Sequence, residues 1–186
     1  MNYCSECGSA VYQKIPAGDN RPRYVCNQCE TIHYQNPRII TGCLPVYQDK
    51  ILLCKRAIEP GYGLWTLPAG FMENGETTQE GALRETREEA CAEVELQGLY
   101  TLTSITPINQ VQMFYLAELS RPNFAAGEET LEAKLFAEHQ IPWEQIAFRT
   151  VINALKLYFE DRKQGLYPLR HFDLHGDKNR LGSTKS

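Results

Sequence analysis

Apolar and polar residues alternate over several short stretches of the chain and recur at helical spacing over two longer ones. Residues 39–47, rich in Ile, Leu and Val, read as a strand. Gln48-Asp49-Lys50 is a turn, and residues 51–55 form its hairpin partner. Residues 64–67 read as a short strand ended by Pro68-Ala69-Gly70. Residues 93–96, 100–105 and 110–119 read as strands; in the last, Val111, Met113, Tyr115, Ala117 and Leu119 alternate along one face. Residues 134–136 are a further short strand. One helix is expected over 77–90, where Thr77 and Glu80 form a capping-box pattern and Ala82, Leu83, Thr86 and Ala90 make an apolar stripe. A second is expected over 149–163, with Val151, Ile152, Leu155, Tyr158 and Phe159 on its apolar side. The pattern is α+β: a mixed sheet with helices packed on its faces.

Composition narrows the function classes. The 186 residues suit one domain, or one domain plus a small module. The formal net charge of -4 does not favour a nucleic-acid partner, whose binding proteins usually show a basic face. A phosphate-bearing substrate would then have to be met by a metal ion or by a few placed Arg and Lys residues. No apolar run approaches the ~18 residues of a membrane span. The first residues offer no charged segment followed by an apolar run, so a cytoplasmic location is expected.

Cysteines divide the chain. Cys4-Ser5-Glu6-Cys7 and Cys26-Asn27-Gln28-Cys29 are two knuckles with eighteen residues between them, the spacing of a zinc ribbon. A two-residue gap lets both thiolates of a knuckle face one ion, and a hairpin of this length brings the second knuckle round. Four thiolates leave no open position for water, so the Zn²⁺ is expected to be structural. His33 is a substitute ligand or, more simply, a packing residue. The expected organisation is a ribbon over 1–36, a catalytic domain over 37–164 and a polar, partly disordered tail over 165–186 containing His171 and His175.

Chemistry concentrates between Gly70 and Ala92. Glu85, Glu88 and Glu89 stand at i, i+3 and i+4, so their side chains leave one helix face. Like charges so placed repel and add nothing to a helix. Alone, such a face is more often solvated surface than a site, but a hard divalent cation needs this kind of oxygen donor set. Gly70, Glu76, Arg84, Glu85, Glu88 and Glu89 fit the Nudix box, G-x5-E-x7-R-E-U-x-E-E-x-G-U with U bulky and aliphatic, at six of its seven fixed letters. Thr86, Cys91 and Ala92 depart from it. A cysteine in place of the final glycine would strain a left-handed helix end by ~1–2 kcal/mol, so a different helix end is expected.

The resemblance extends beyond the box. The ribbon, His33-Tyr34-Gln35-Asn36-Pro37-Arg38, Leu53-Cys54-Lys55-Arg56, Gly63-Leu64-Trp65-Thr66-Leu67-Pro68-Ala69-Gly70 and Gly127-Glu128-Glu129-Thr130-Leu131-Glu132 together resemble the Nudix branch of FAD and ADP-ribose pyrophosphatases. The resemblance implies an α/β/α sandwich behind the ribbon, usually a homodimer. It implies hydrolysis of a dinucleotide or nucleotide-sugar diphosphate to AMP plus FMN or ribose 5-phosphate. Glu85, Glu88, Glu89 and the Gly70 carbonyl would bind Mg²⁺ or Mn²⁺, and Glu76 and Arg84 would pair structurally. Glu85, or Glu128, Glu129 or Glu132 on the later loop, would be the general base. Lys55, Arg56, Trp65 and Phe71 are candidate substrate contacts, with Tyr62 near them, and core or surface roles are equally open to them. Pro107, sixteen residues after Cys91, lies near where ADP-ribose-cleaving relatives carry a proline. Two rivals stand. One is an NADH pyrophosphatase, whose long Pro- and Trp-containing motif has no match in Ile105-Thr106-Pro107-Ile108-Asn109-Gln110. The other is a nucleotide-sensing regulator binding nucleic acid through the ribbon, which the intact glutamates disfavour.

Overall fold

The computed structural model describes residues 1–175. It divides into two compact units, the first Met1–Pro37 and the second beginning at Arg38. In the first, β1 (Val11–Lys14), β2 (Arg23–Cys26) and β3 (Ile32–His33) form an antiparallel sheet. The turn between β1 and β2 contains Gly18 at φ 83°, which a side chain would strain.

The second unit holds a mixed sheet. Its strands are β4 (Arg38–Tyr47), β5 (Lys50–Arg56), β6 (Trp65–Thr66), β7 (Ala69–Phe71), β8 (Glu95–Ile105), β9 (Gln110–Glu118), β10 (Thr130–Phe136) and β11 (Arg170–Leu174). The order is β10-β5-β4-β9-β8-β11, with β6 pairing β5 and β7 pairing β4. Pairing is parallel between β4 and β9 and between β8 and β11, and antiparallel elsewhere. Helices α1 (Thr78–Ala90) and α2 (Arg149–Arg162) cover opposite faces. On the α2 side, Phe114 and Leu116 pack with Val151, Leu155 and Phe159. On the α1 side, Tyr115 and Ala117 pack with Ala82.

Several elements differ from expectation, each for a physical reason. β9 is buried on both faces, because its place in the middle of the sheet puts a helix over each. The two strands expected at 93–96 and 100–105 are one strand, β8, whose register shifts at Leu96/Gly98 and Leu99/Thr101 absorb the polar interruption. β10 extends well beyond 134–136; it is an edge strand, and its exposed Glu132 and Lys134 hide it from an apolar pattern. The segment read as a tail contributes β11 to the sheet; residues 176–186 of that tail lie outside the described residues.

Helix α1 begins as its sequence implies. The Thr77 hydroxyl accepts from Glu80 N at 3.2 Å, and Glu80 accepts from Thr77 N at 2.7 Å. Its other end corrects the expectation made from Cys91. The helix does close in the left-handed conformation, with Cys91 at φ 47° and its N–H on Arg87 O at 2.9 Å. Carbonyls of the last turn are satisfied by the following loop, through Ala125 N to Ala90 O at 2.9 Å and Gly127 N to Glu89 O at 3.1 Å, which ties the chain down around Cys91. Among the described residues, no helix is long and apolar enough to cross a membrane.

Candidate active site

Helix α1 turns two of its carboxylates inward. Glu85 and Glu89 are each 8% exposed, whereas Glu88 projects into solvent at the cleft. Buried carboxylates are costly unless they are paired or meet a cation. Glu89 accepts from Ala69 N at 3.1 Å, and Glu85 accepts from Arg84 at 2.7 Å. Burial, and after it repulsion from neighbouring carboxylates (Glu88 on Glu85, Glu85 on Glu89, and to a lesser degree Glu129 on both), still pushes both carboxyls up, Glu89 to about 8. A cation in this place would reverse that preference and hold both groups ionised. Gly70 lies against the same cluster: a Cβ there would collide with the Glu85 carboxylate.

Arg84 orders the surrounding groups. Its Nε and Nη2 donate to Glu76 at 3.0 and 2.8 Å, its Nη1 to Glu85 and Glu88 at 2.7 and 2.9 Å, and Nη2 also to the Phe71 carbonyl at 3.0 Å. Glu76 additionally accepts from Glu73 N at 2.6 Å, tying the loop after β7 to the helix. The Arg84 guanidinium and the Glu73 amide hold the Glu76 carboxyl at about 2, well below its ordinary range. A planar five-donor fork can meet this many acceptors at once, which an ammonium group cannot do with the same geometry.

The later loop completes one wall. Gly127 has no room for a Cβ, which would overlap the Glu88 carbonyl. Its close approach brings Glu128 and Glu129 into the cleft that Glu85, Glu88 and Glu89 also line. Glu132 is not among them; it stands exposed on β10, paired in register with Lys55. The cleft has a volume of about 1140 Å³. Arg56 lines it too, with its guanidinium 5.2 Å from the Phe148 ring.

The candidate substrate contacts separate. Arg56, Phe71 and Pro107 line the cleft; Lys55, Tyr62 and Trp65 do not. Trp65 is a core residue, 4.9 Å edge-to-face from Phe136, because β6 is sandwiched between β5 and the segment before α2. Lys55 lies over its ring at 5.8 Å. The cleft also gains apolar lining from Ile58, Ile105, Ile108 and Phe148. Nothing in their local sequence marks these four; they meet only through the sheet's order.

In the first unit, the Sγ atoms of Cys4, Cys7, Cys26 and Cys29 lie within 4.8 Å of one another. A tetrahedral zinc thiolate site has sulfur atoms ~3.8 Å apart at Zn–S ~2.3 Å. The Cys4–Cys29 and Cys7–Cys26 separations, 3.6 and 3.4 Å, suit it. Backbone N–H groups of Glu6, Gln28 and Cys29 point at Cys4 and Cys26 Sγ at 3.3–3.4 Å, as thiolates require. His33 is buried, its Nε2 3.3 Å from Cys4 Sγ, beside the sulfur cluster and outside the four-cysteine set.

Known proteins agree with both halves. A model described as NUDIX domain matches residues 36–155, and one described as Nudix N-terminal, a zinc ribbon, matches residues 2–35. The chain belongs to the Nudix hydrolases. As a Nudix pyrophosphohydrolase it is most usefully set beside a NUDIX hydrolase from Nitrosomonas europaea, 51% identical, whose structure superposes with a TM-score of 0.91 over 94% of this chain and 99% of that one. An ADP-ribose pyrophosphatase from Methanocaldococcus jannaschii is 31% identical over 59% of this chain and 67% of its own length. The NAD-capped RNA hydrolase NudC of Vibrio vulnificus is 30% identical over 76% of this chain; the match spans only 53% of that protein. Nudix enzymes act with divalent metal ions, and the oxygen donor set of the cleft fits that requirement.

Proposed function

We propose that this Nudix hydrolase cleaves the diphosphate of ADP-ribose, FAD or both, releasing AMP with ribose 5-phosphate or FMN. The observation that carries the proposal is the convergence of Glu85, Glu88, Glu89, Glu128 and Glu129 on one cleft whose remaining lining is mixed, with Arg56 and an apolar part made by Ile58, Phe71, Ile108 and Phe148. Its volume of about 1140 Å³ suits a ligand of dinucleotide size. The ADP-ribose pyrophosphatase relative favours the first substrate.

In this reading Glu85, Glu88 and Glu89, with the Gly70 carbonyl, hold Mg²⁺ or Mn²⁺. When bound, such ions neutralise charge on the diphosphate and acidify an attacking water. Arg84 fixes the orientation of Glu85 and Glu88, and Glu76 fixes Arg84. Glu129 takes the proton from the attacking water; it lines the cleft and lies close enough to Glu85 and Glu89 to raise both carboxyls. Arg56 meets a phosphate oxygen. Phe71, Phe148 and the isoleucines seat the base. Zn²⁺ holds the ribbon, and the active assembly is a homodimer.

A second reading has one specific support. The NudC relatives are named for NAD-capped RNA, so the nicotinamide dinucleotide becomes a rival substrate and the low expectation of a nucleic-acid partner is weakened for its RNA-linked form. A panel of ADP-ribose, FAD, NADH and an NAD-capped oligonucleotide, with Mg²⁺ and Mn²⁺ and products identified by mass spectrometry, decides. AMP with ribose 5-phosphate or FMN as the fastest products supports the first reading. Preference for NADH or the capped oligonucleotide supports the second, and cleavage of none refutes both.

A further inference from the structure

The family match ends at residue 155, yet the chain beyond it is built into the domain. β11 pairs in parallel with the end of β8, Arg170 opposite Thr101 through Leu174 opposite Ile105. A single-turn helix, Thr106–Ile108, follows β8 directly, and Pro107 and Ile108 in it line the cleft. The Thr106 hydroxyl donates to the Leu174 carbonyl at 3.3 Å and lies 3.3 Å from His175 Nδ1. The turn is therefore held on its outer side by the C-terminal strand and presents its apolar side to the cleft.

β11 is itself anchored. Asp161, 6% exposed at the end of α2, accepts from Arg170 at 2.6 Å and from the Tyr100 hydroxyl at 2.8 Å. Arg170 also donates to the Pro168 carbonyl at 2.9 Å. Tyr167 stacks on Tyr158 of α2 with ring centres 5.8 Å apart and lies edge-on to Tyr100 at 6.4 Å. A buried carboxylate answered by one arginine and one phenol is a strong, directional clamp, since each partner lost leaves the carboxylate underserved.

We propose that residues 166–175 are a positioning element for substrate selection: β11, clamped through Arg170 to Asp161, holds the Thr106–Ile108 turn so that Pro107 and Ile108 wall the cleft against the bound substrate. This rests on the diphosphatase reading above for its consequence in turnover, but not for the clamp. Arg170 and Thr106 touch no reacting atom in this scheme. Loosening them should weaken substrate seating and leave the chemical step alone.

Two full-length variants test it, Arg170→Ala and the milder Thr106→Val, with Arg170→Lys as the conservative control. Amide hydrogen exchange over residues 105–110 is measured for each, and kcat and KM on the best substrate of the panel. The expected result is faster exchange over that segment and a KM raised about five- to tenfold at kcat within twofold, with Arg170→Lys partly restoring both. Unchanged exchange in Thr106→Val and Arg170→Ala overturns the clamp. Faster exchange with an unchanged KM, or an equal fall in kcat, overturns its role in seating substrate. A wild-type protein inert to the whole panel refutes the diphosphatase reading alone, and the exchange data then decide the clamp by themselves.

Discussion

Gly70 and Glu85 occupy adjoining space so tightly that a single methyl group on Gly70 would displace the Glu85 carboxylate. The glycine is needed here for close approach rather than for an unusual turn. β7 brings the backbone against helix α1, and the carboxylate fills the volume a side chain would use. Gly70→Ala should therefore misplace Glu85 without removing it. Displacements on the scale of 1 Å commonly cost ~10²-fold in rate. A fall in kcat of about that size, with a near-native circular dichroism spectrum, is the expected outcome; retained kcat would show that Glu85 has no positional role.

The glutamates should separate by role under isosteric substitution. Glu85→Gln, Glu88→Gln and Glu89→Gln should each lower kcat on the order of 10²-fold or more while the protein remains folded. Glu129→Gln should behave similarly, because Glu129 lines the cleft. Glu132→Gln should stay within about twofold of wild type, because Glu132 is exposed on an edge strand outside it. Steady-state kinetics on one substrate, with metal concentration varied, checks all five. A Glu132 variant as impaired as the Glu129 variant would reverse the assignment of the base.

Much of this site is legible in the sequence. The spacing of Glu85, Glu88 and Glu89 is a helical spacing, so a single correct helix suffices to place them together. The paired knuckles likewise need only one hairpin to converge. What spacing could not supply is which residues meet across the sheet. Trp65 and Phe71 lie six positions apart in neighbouring short strands, yet one is core and the other lines the cleft, because β6 pairs with β5 and β7 with β4. Glu129 and Glu132 share a loop-to-strand junction, and only the docking of Gly127 on the Glu88 carbonyl decides which reaches the cleft. β11 was invisible for another reason: as an edge strand of Arg170, His171, Phe172, Asp173 and Leu174 it buries too little to leave an apolar alternation.

The ribbon makes a separate prediction. Its unit has a small buried core, Val25 with Cys4 and Cys26, so the ion must supply most of its order. Native protein should carry one zinc per chain by mass spectrometry of the metal. Cys26→Ser should lower zinc well below stoichiometric and abolish protection from amide exchange over residues 11–33. Full protection in a zinc-free preparation would remove the structural role.

Acid should act through Glu76. Its carboxyl is held at about 2 in the folded protein, below its ordinary value of 4.5. The contribution is therefore fully present above about 4.5 and is lost as pH falls toward 2, since the unfolded chain binds the proton first. Glu76→Gln removes the titrating group. Urea midpoints followed from pH 6 down to 3 should fall less steeply for Glu76→Gln than for wild type, from a lower starting value. Parallel curves would mean that the Arg84 link contributes no pH-dependent stability.

Cys91 carries a cost that can be returned. It sits at φ 47°, exposed, at a helix end where the family pattern has glycine. A residue with a Cβ in the left-handed region pays ~1–2 kcal/mol relative to glycine. Glycine gives back part of that through the greater freedom of the unfolded chain, ~0.4–1 kcal/mol. No packing is lost with the exposed thiol. The Arg87 carbonyl keeps its bond, because the Cys91 N–H that meets it belongs to the backbone. Cys91→Gly should therefore stabilise the protein by about 1 kcal/mol, or ~2–4 °C in Tm for a chain of this size. Activity should not change, because Cys91 does not line the cleft. Calorimetry of the two proteins under reducing conditions measures it, and a lower Tm for the glycine variant would show that the loop bonds at Ala90 and Glu89 already relieve the strain.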